Sequence, residues 1–189
     1  VAWSWTGSVW GGANHAPAVG WLIDTDEDGD VDTDDVPVIV TTVGQVRSAD
    51  LVVLRGDTGR EVWRAGGLDR GFQPLLLADI DADGANEIVA TADRGRLVAY
   101  EATGERVWTA SEPAVSRSGA VSTHITVTDL DGDGLPEVLA GNGSFNGENG
   151  TLDRRLPMGT PGFDVVVAGA LDLDGGPELV LGGEVHDAE

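Results

Sequence analysis

The sequence predicts an all-β protein built from repeated four-stranded sheets, about three to four blades of a propeller. Three observations carry this. The apolar runs are short, rich in Val, Leu and Ile, and bounded by Gly, Asp, Asn and Pro, as in "VPVIVTTV", "PLLLAD", "EIVATA" and "HITVTD". No stretch keeps a helical period over twelve positions. An acidic loop recurs between such runs roughly every 40–55 residues, a propeller-like period.

Each element of the repeat has a local reason. "LVVLRGDTGREVWRA" begins at Leu51 and "LVAYEATGERVWTA" at Leu97. Both give a strand, a turn centred on Thr-Gly and a second strand carrying Trp63 or Trp108. The Gly suits a hairpin turn that needs positive φ. One unit is thus apolar strand, acidic loop, apolar strand, strand, Thr-Gly turn and Trp strand. The expected units are 16–66, 67–112, an irregular 113–160 and a partial 161–189, with 1–15 ending a preceding blade. In the third unit, "GNGSFNGENGTLDRRLPMGTPG" lacks the Thr-Gly/Trp hairpin and predicts an extended loop with a degraded blade edge. Trp3 or Trp5 is expected to match Trp63 and Trp108 from that preceding blade.

The charge is concentrated in these loops. The 189 residues carry a formal net charge of −22, and all 11 basic residues are arginine. Such a surface repels nucleic acid and anionic membranes. A merely solubilising charge would be scattered, whereas many of these acids fall into four clusters, which points to cations. No cysteine is present, which excludes disulfides, thiolate chemistry and Cys-ligated metals. No run is long and apolar enough to span a membrane. "VAWSWTGSVW" has no basic n-region, so the opening reads as a mature or trimmed segment.

The loops are "IDTDEDGDVD", "ADIDADGANE", "TDLDGDGLPE" and "ALDLDGGPE". Their first carboxylates are Asp24, Asp79 and Asp129; the fourth has Ala170 there. Positions 1, 3 and 5 converge on one side: Asp24, Asp26 and Asp28; Asp79, Asp81 and Asp83; Asp129, Asp131 and Asp133. Carboxylates pressed together repel, and a hard divalent cation relieves them. Calcium takes six to eight oxygens at about 2.3–2.6 Å. Gly at position 6 allows the sharp turn. Position 7 offers a backbone carbonyl, from Asp30, Ala85 or Leu135. Position 9 adds Asp32, Glu87 or Glu137. An EF-hand would place its acid at position 12 between helices. Here the flanks are strands, and position 12 is Ala90 in the second loop and Ala140 in the third. In the first loop Asp35 stands at position 12, so Asp32 or Asp35 could close that site.

D-x-D-x-D-G-x-x-[DE] between apolar strands resembles the FG-GAP/VCBS repeat of integrin α-like calcium-binding β-propellers, over roughly Trp21 to Gly183. The resemblance implies that each such loop carries a Ca2+ ion on the residues just named, about three in all. Asp172, Asp174 and Glu178 would form a weak or empty fourth site. It also implies a secreted or cell-surface module for adhesion or protein–protein contact. Its calcium would be structural, and no enzymatic role is expected. Its partners would be a protein or glycan ligand at the cell surface, with no nucleic acid and no membrane insertion. The alternatives are part of a calcium-dependent polysaccharide lyase-like enzyme, or a structural subunit of a surface filament. Three to four units make an arc of a seven- or eight-bladed ring. The rest would come from a longer parent chain or from self-association.

Other features have plainer readings. Arg55-Gly56-Asp57 spells an adhesion tripeptide but occupies an ordinary repeat turn. His15, His124 and His186 are not at ligand spacing. The sequons at Asn142 and Asn149 fall in a Gly/Asn-rich stretch where such matches arise easily.

Overall fold

The computed structural model describes residues 3–5, 16–45, 48–68, 74–114, 124–156, 166–169, 177–181 and 184–187. The first sheet holds β1 (Ala18–Gly20), β2 (Val38–Gln45), β3 (Ser48–Arg55) and β4 (Glu61–Leu68). The second holds β5 (Leu75–Ala78), β6 (Glu87–Thr91), β7 (Arg96–Tyr100) and β8 (Arg106–Pro113). The third holds β9 (Ile125–Thr128), β10 (Glu137–Ala140), β11 (Gly143–Asn146) and β12 (Leu152–Arg155). The last is β13 (Val166–Gly169), β14 (Glu178–Leu181) and β15 (Glu184–Asp187). Every sheet is an antiparallel meander in chain order. These are propeller blades. The third unit is a full four-stranded sheet among them, not a degraded edge. Its β11–β12 turn uses Asn149-Gly150 where the first two blades use Thr-Gly, and Gly150 has φ 69°.

The first strands of successive sheets are neighbours, β1 beside β5, β5 beside β9 and β9 beside β13. The sheets therefore stack face to face around a common inner side. Strand alternation then serves two neighbours at once. Ile88, Ala90, Val98 and Tyr100 of the second sheet pack with Val38, Val40, Leu51 and Val53 of the first. The alternate residues Val89, Leu97 and Ala99 pack with Val138, Ala140 and Phe145 of the third. Leu139 of the third meets Leu179 of the last. Residues of β6 are buried on both faces, which explains the unbroken apolar run "IVA". Each such buried side chain contributes about 1.5–3 kcal/mol.

A second link joins the sheets at their outer side. The Trp63 indole N–H donates to the Ala102 carbonyl at 2.7 Å, and Trp108 donates to Gly147 at 2.7 Å. Each tryptophan thus reaches out of its own β4 or β8 onto the outer turn of the next blade. Trp3 does the same to Gly56, at 2.9 Å. Of the two candidates for the preceding strand's tryptophan, Trp3 holds the matching place; Trp5 packs on the outer face of the first sheet beside Val43, Val52 and Leu54. The turn glycines serve this clasp. A Cβ on Gly104 would lie 2.9 Å from the Trp63 ring, and one on Gly150 2.6 Å from Trp108.

Candidate metal centres

The acidic loops join the first and second strands of a blade at one end of the stack. In three of them the carboxylates converge. The groups are Asp24, Asp26 and Asp35; Asp79, Asp81 and Glu87; and Asp129, Asp131 and Glu137. Within each group one oxygen per residue lies within 4.8 Å of the others. Oxygens on opposite sides of one calcium ion, bonded at about 2.3–2.6 Å, are separated by that much.

The loop backbone follows one pattern. Position 1 accepts the position 6 N–H at 3.0 Å in all three: Gly29 to Asp24, Gly84 to Asp79 and Gly134 to Asp129. Position 6 is left-handed, for example Gly84 at φ 94°. So is position 4, which the sequence did not reveal: Glu27 at 65°, Ala82 at 62° and Gly132 at 78°. The position 5 carboxylates fall outside the three groups. Asp28, Asp83 and Asp133 instead accept the N–H of position 7, from Asp30 (3.3 Å), Ala85 (2.8 Å) and Leu135 (2.8 Å). They hold the peptide unit that leads into position 7, one before the unit whose carbonyl the sequence nominated as a ligand.

The closing acid comes from the second strand. Glu87 begins β6 and Glu137 begins β10. Each accepts the N–H of loop position 2, Ile80 at 3.0 Å and Leu130 at 2.7 Å. In the first loop that bond, from Thr25 N–H, goes to Asp35. Asp32 is not in the group; it accepts from Asp34 N–H and donates its own N–H to Asp35. The reason is loop length. The first loop opens at Asp24, yet β2 begins only at Val38, an apolar residue where the other blades place glutamate. The longer loop brings Asp35 back to the same place. In the last blade Asp172 and Asp174 lie outside the described residues, while Glu178 begins β14 and is buried.

The electrostatics favour a cation. Burial pushes the Glu87 carboxyl up to about 7 against one hydrogen bond from Ile80, and the charges of Asp81, Glu101 and Asp83 add to the rise. Burial also raises Glu137, followed by Asp131, Asp133 and Asp129. Asp35 goes the other way, because backbone donors from Thr25 and Asp32 hold its carboxyl below the usual range. Two oxygens in the second group, Asp79 Oδ1 and Glu87 Oε1, are buried with no hydrogen-bond partner. Unpartnered buried carboxylate oxygens are costly unless a cation meets them. The donor set is all oxygen, which suits calcium over softer metals.

The remaining candidates have structural partners or none of the chemistry. Arg55 and Asp57 pair with each other, Nε to Oδ1 at 3.0 Å and Nη2 to Oδ2 at 3.1 Å. The Gly56 peptide between them is held by Pro37 and Trp3. His124 is exposed at the start of β9. His15 lies outside the described residues.

Comparison with known proteins agrees with this geometry. Residues 79–140 match the family model described as an FG-GAP-like repeat. No curated protein matches in sequence. Among solved structures, the chain is similar to the V. cholerae biofilm matrix protein Bap1, with TM-score 0.75 and 24% identity. That match covers 99% of this chain and 32% of Bap1, so the chain spans about a third of that protein's length. It is also similar to BamB from Moraxella catarrhalis, with TM-score 0.50 and 16% identity over 93% of this chain and 50% of that one. Residues 79–140, which run from the first carboxylate of the second acidic loop to the end of β10, thus match an FG-GAP-like repeat, and the fold that carries them is one of propeller blades.

Proposed function

We propose that the chain is a calcium-stabilised part of an extracellular propeller that serves adhesion or protein–protein contact, with the ions structural and no catalytic role. The observation that carries the calcium reading is the pair of buried, unpartnered oxygens of Asp79 and Glu87 inside a three-carboxylate group. The ions would neutralise loops that otherwise repel and would fix the turn from each first strand to its second. The extracellular reading is supported by the FG-GAP-like repeat and by the blade fold shared with a biofilm matrix protein. Free calcium outside cells also suits sites of modest affinity. The partner would be a protein or glycan at a cell surface or in a matrix. The other blades of the ring would come from a longer parent chain or from a second copy.

A thermal melt with calcium and with chelator, joined to titration calorimetry, tests the reading. About three ions are expected. Each site held at about a hundred times its Kd adds ~2.7 kcal/mol, worth roughly 5–10 °C in a chain of this size. An unchanged Tm on chelation would overturn structural calcium. Pull-down on matrix glycans and on cell-surface protein, in calcium, tests the adhesive role; binding to neither would remove it.

A further inference from the structure

The three acidic groups are built on one plan but are not equivalent, and the difference lies in the strand beside them. The closing glutamates stand at the start of a second strand, so the facing residue on the third strand is fixed by register. Glu137 pairs with Asn146. Val38, at the same place in the first blade, pairs with Arg55. In the second blade Ile88 pairs with Tyr100, so the next antiparallel pair brings Glu101 beside Glu87. The facing residue is thus an arginine paired with Asp57 in the first blade, a glutamate in the second and a neutral asparagine in the third. We infer that Glu101 makes the second loop the tightest of the three calcium sites, acting as a positioning charge beside the ion's own ligands. This rests on the calcium reading above.

A further observation supports the ranking. The closing acids differ in what they already hold. Asp35 accepts from Thr25 N–H, Thr25 Oγ1 and Asp26 N–H on Oδ1, and from Asp32 N–H on Oδ2. The first loop is therefore largely satisfied by its own donors. Glu87 keeps Oε1 buried and unpartnered, so an ion in the second loop satisfies an oxygen that nothing else reaches. Arg55, the cation in the first blade, is engaged with Asp57.

The test is calorimetric titration of the chelator-stripped chain with calcium chloride, compared with Glu101→Gln and with Asn146→Glu. One constant of the wild type is expected to be tighter than the other two. Glu101→Gln should weaken that constant about three- to tenfold, the scale of one unit charge acting across a solvent-screened gap. Stoichiometry should be unchanged, and the effect should shrink at high salt. Asn146→Glu should tighten a second constant by a similar factor. A double variant, Asp24→Asn with Asp129→Asn, leaves the second loop as the single complete group among the described residues and assigns the constant. Should that variant fail to fold, Asn146→Glu in the wild-type background still decides the matter. Binding of calcium with no change on either charge substitution would overturn the inference and leave the calcium reading standing. No binding by the wild type would overturn both.

Discussion

Ala82 shows how a residue is held against its preference. Its φ of 62° is left-handed, which costs a residue with a Cβ about 1–2 kcal/mol. The third loop has Gly132 at the same position, with φ 78° and open space around its missing Cβ. Ala82→Gly is therefore expected to stabilise the chain by roughly 0.5–1 kcal/mol, after the added freedom of the unfolded chain is subtracted. Gly132→Ala should cost a similar amount; urea melts of both check this. The Glu87 carboxyl gives a pH signature. Its folded value is raised to about 7 from the ordinary 4.5, so in chelator the folded state binds more protons across that interval. Stability is then present below about pH 4.5 and is lost as pH rises toward 7. Excess calcium should flatten this slope, and Glu87→Gln should reduce it in chelator. Melts at several pH values, with and without calcium, read both effects.

The element that repeats is the clasp between blades. Trp63 and Trp108 each bury an indole on the turn of the next blade and donate to a carbonyl there. Trp63 also meets Tyr100 with ring centroids 6.2 Å apart. Trp108→Ala is expected to cost about 3–5 kcal/mol, as for other buried aromatic truncations. Trp108→Phe keeps much of the packing and should lose only ~1–2 kcal/mol for the hydrogen bond. Gly104→Ala should destabilise by more than 1 kcal/mol, because φ is 86° and the new Cβ would meet the Trp63 ring. Chemical denaturation of the three variants orders them.

For the whole molecule, the cores between sheets depend on alternation. Each middle strand gives one set of residues to the blade before it and the other set to the blade after it. Three acidic groups lie on the same kind of loop in successive blades. On the calcium reading, loss of the ions would act on several sheets together. Chelation is expected to lower the melting temperature of the chain as one transition, not to free a single blade, and calorimetry would reveal separate transitions if the blades were independent.

The sequence by itself determined the class of strand, the repeat and the acid-rich loops. Those properties are local: alternation, turn residues and spacing act over a few positions. It also placed Asp79, Asp81 and Glu87, because there the loop has the common length. The tertiary structure decided what depends on where a chain returns. Asp35 rather than Asp32 joins the first group because a longer loop folds back to the Thr25 peptide. Asp28, Asp83 and Asp133 each accept a backbone N–H on one oxygen and stand outside the groups, a placement that loop closure decides and spacing does not. The third blade is complete because β11 pairs with β12 through Asn-Gly, a turn that serves as well as Thr-Gly. The tryptophans were legible as strand residues, but their partners lie in the following repeat, and only the stacking of sheets brings the two together.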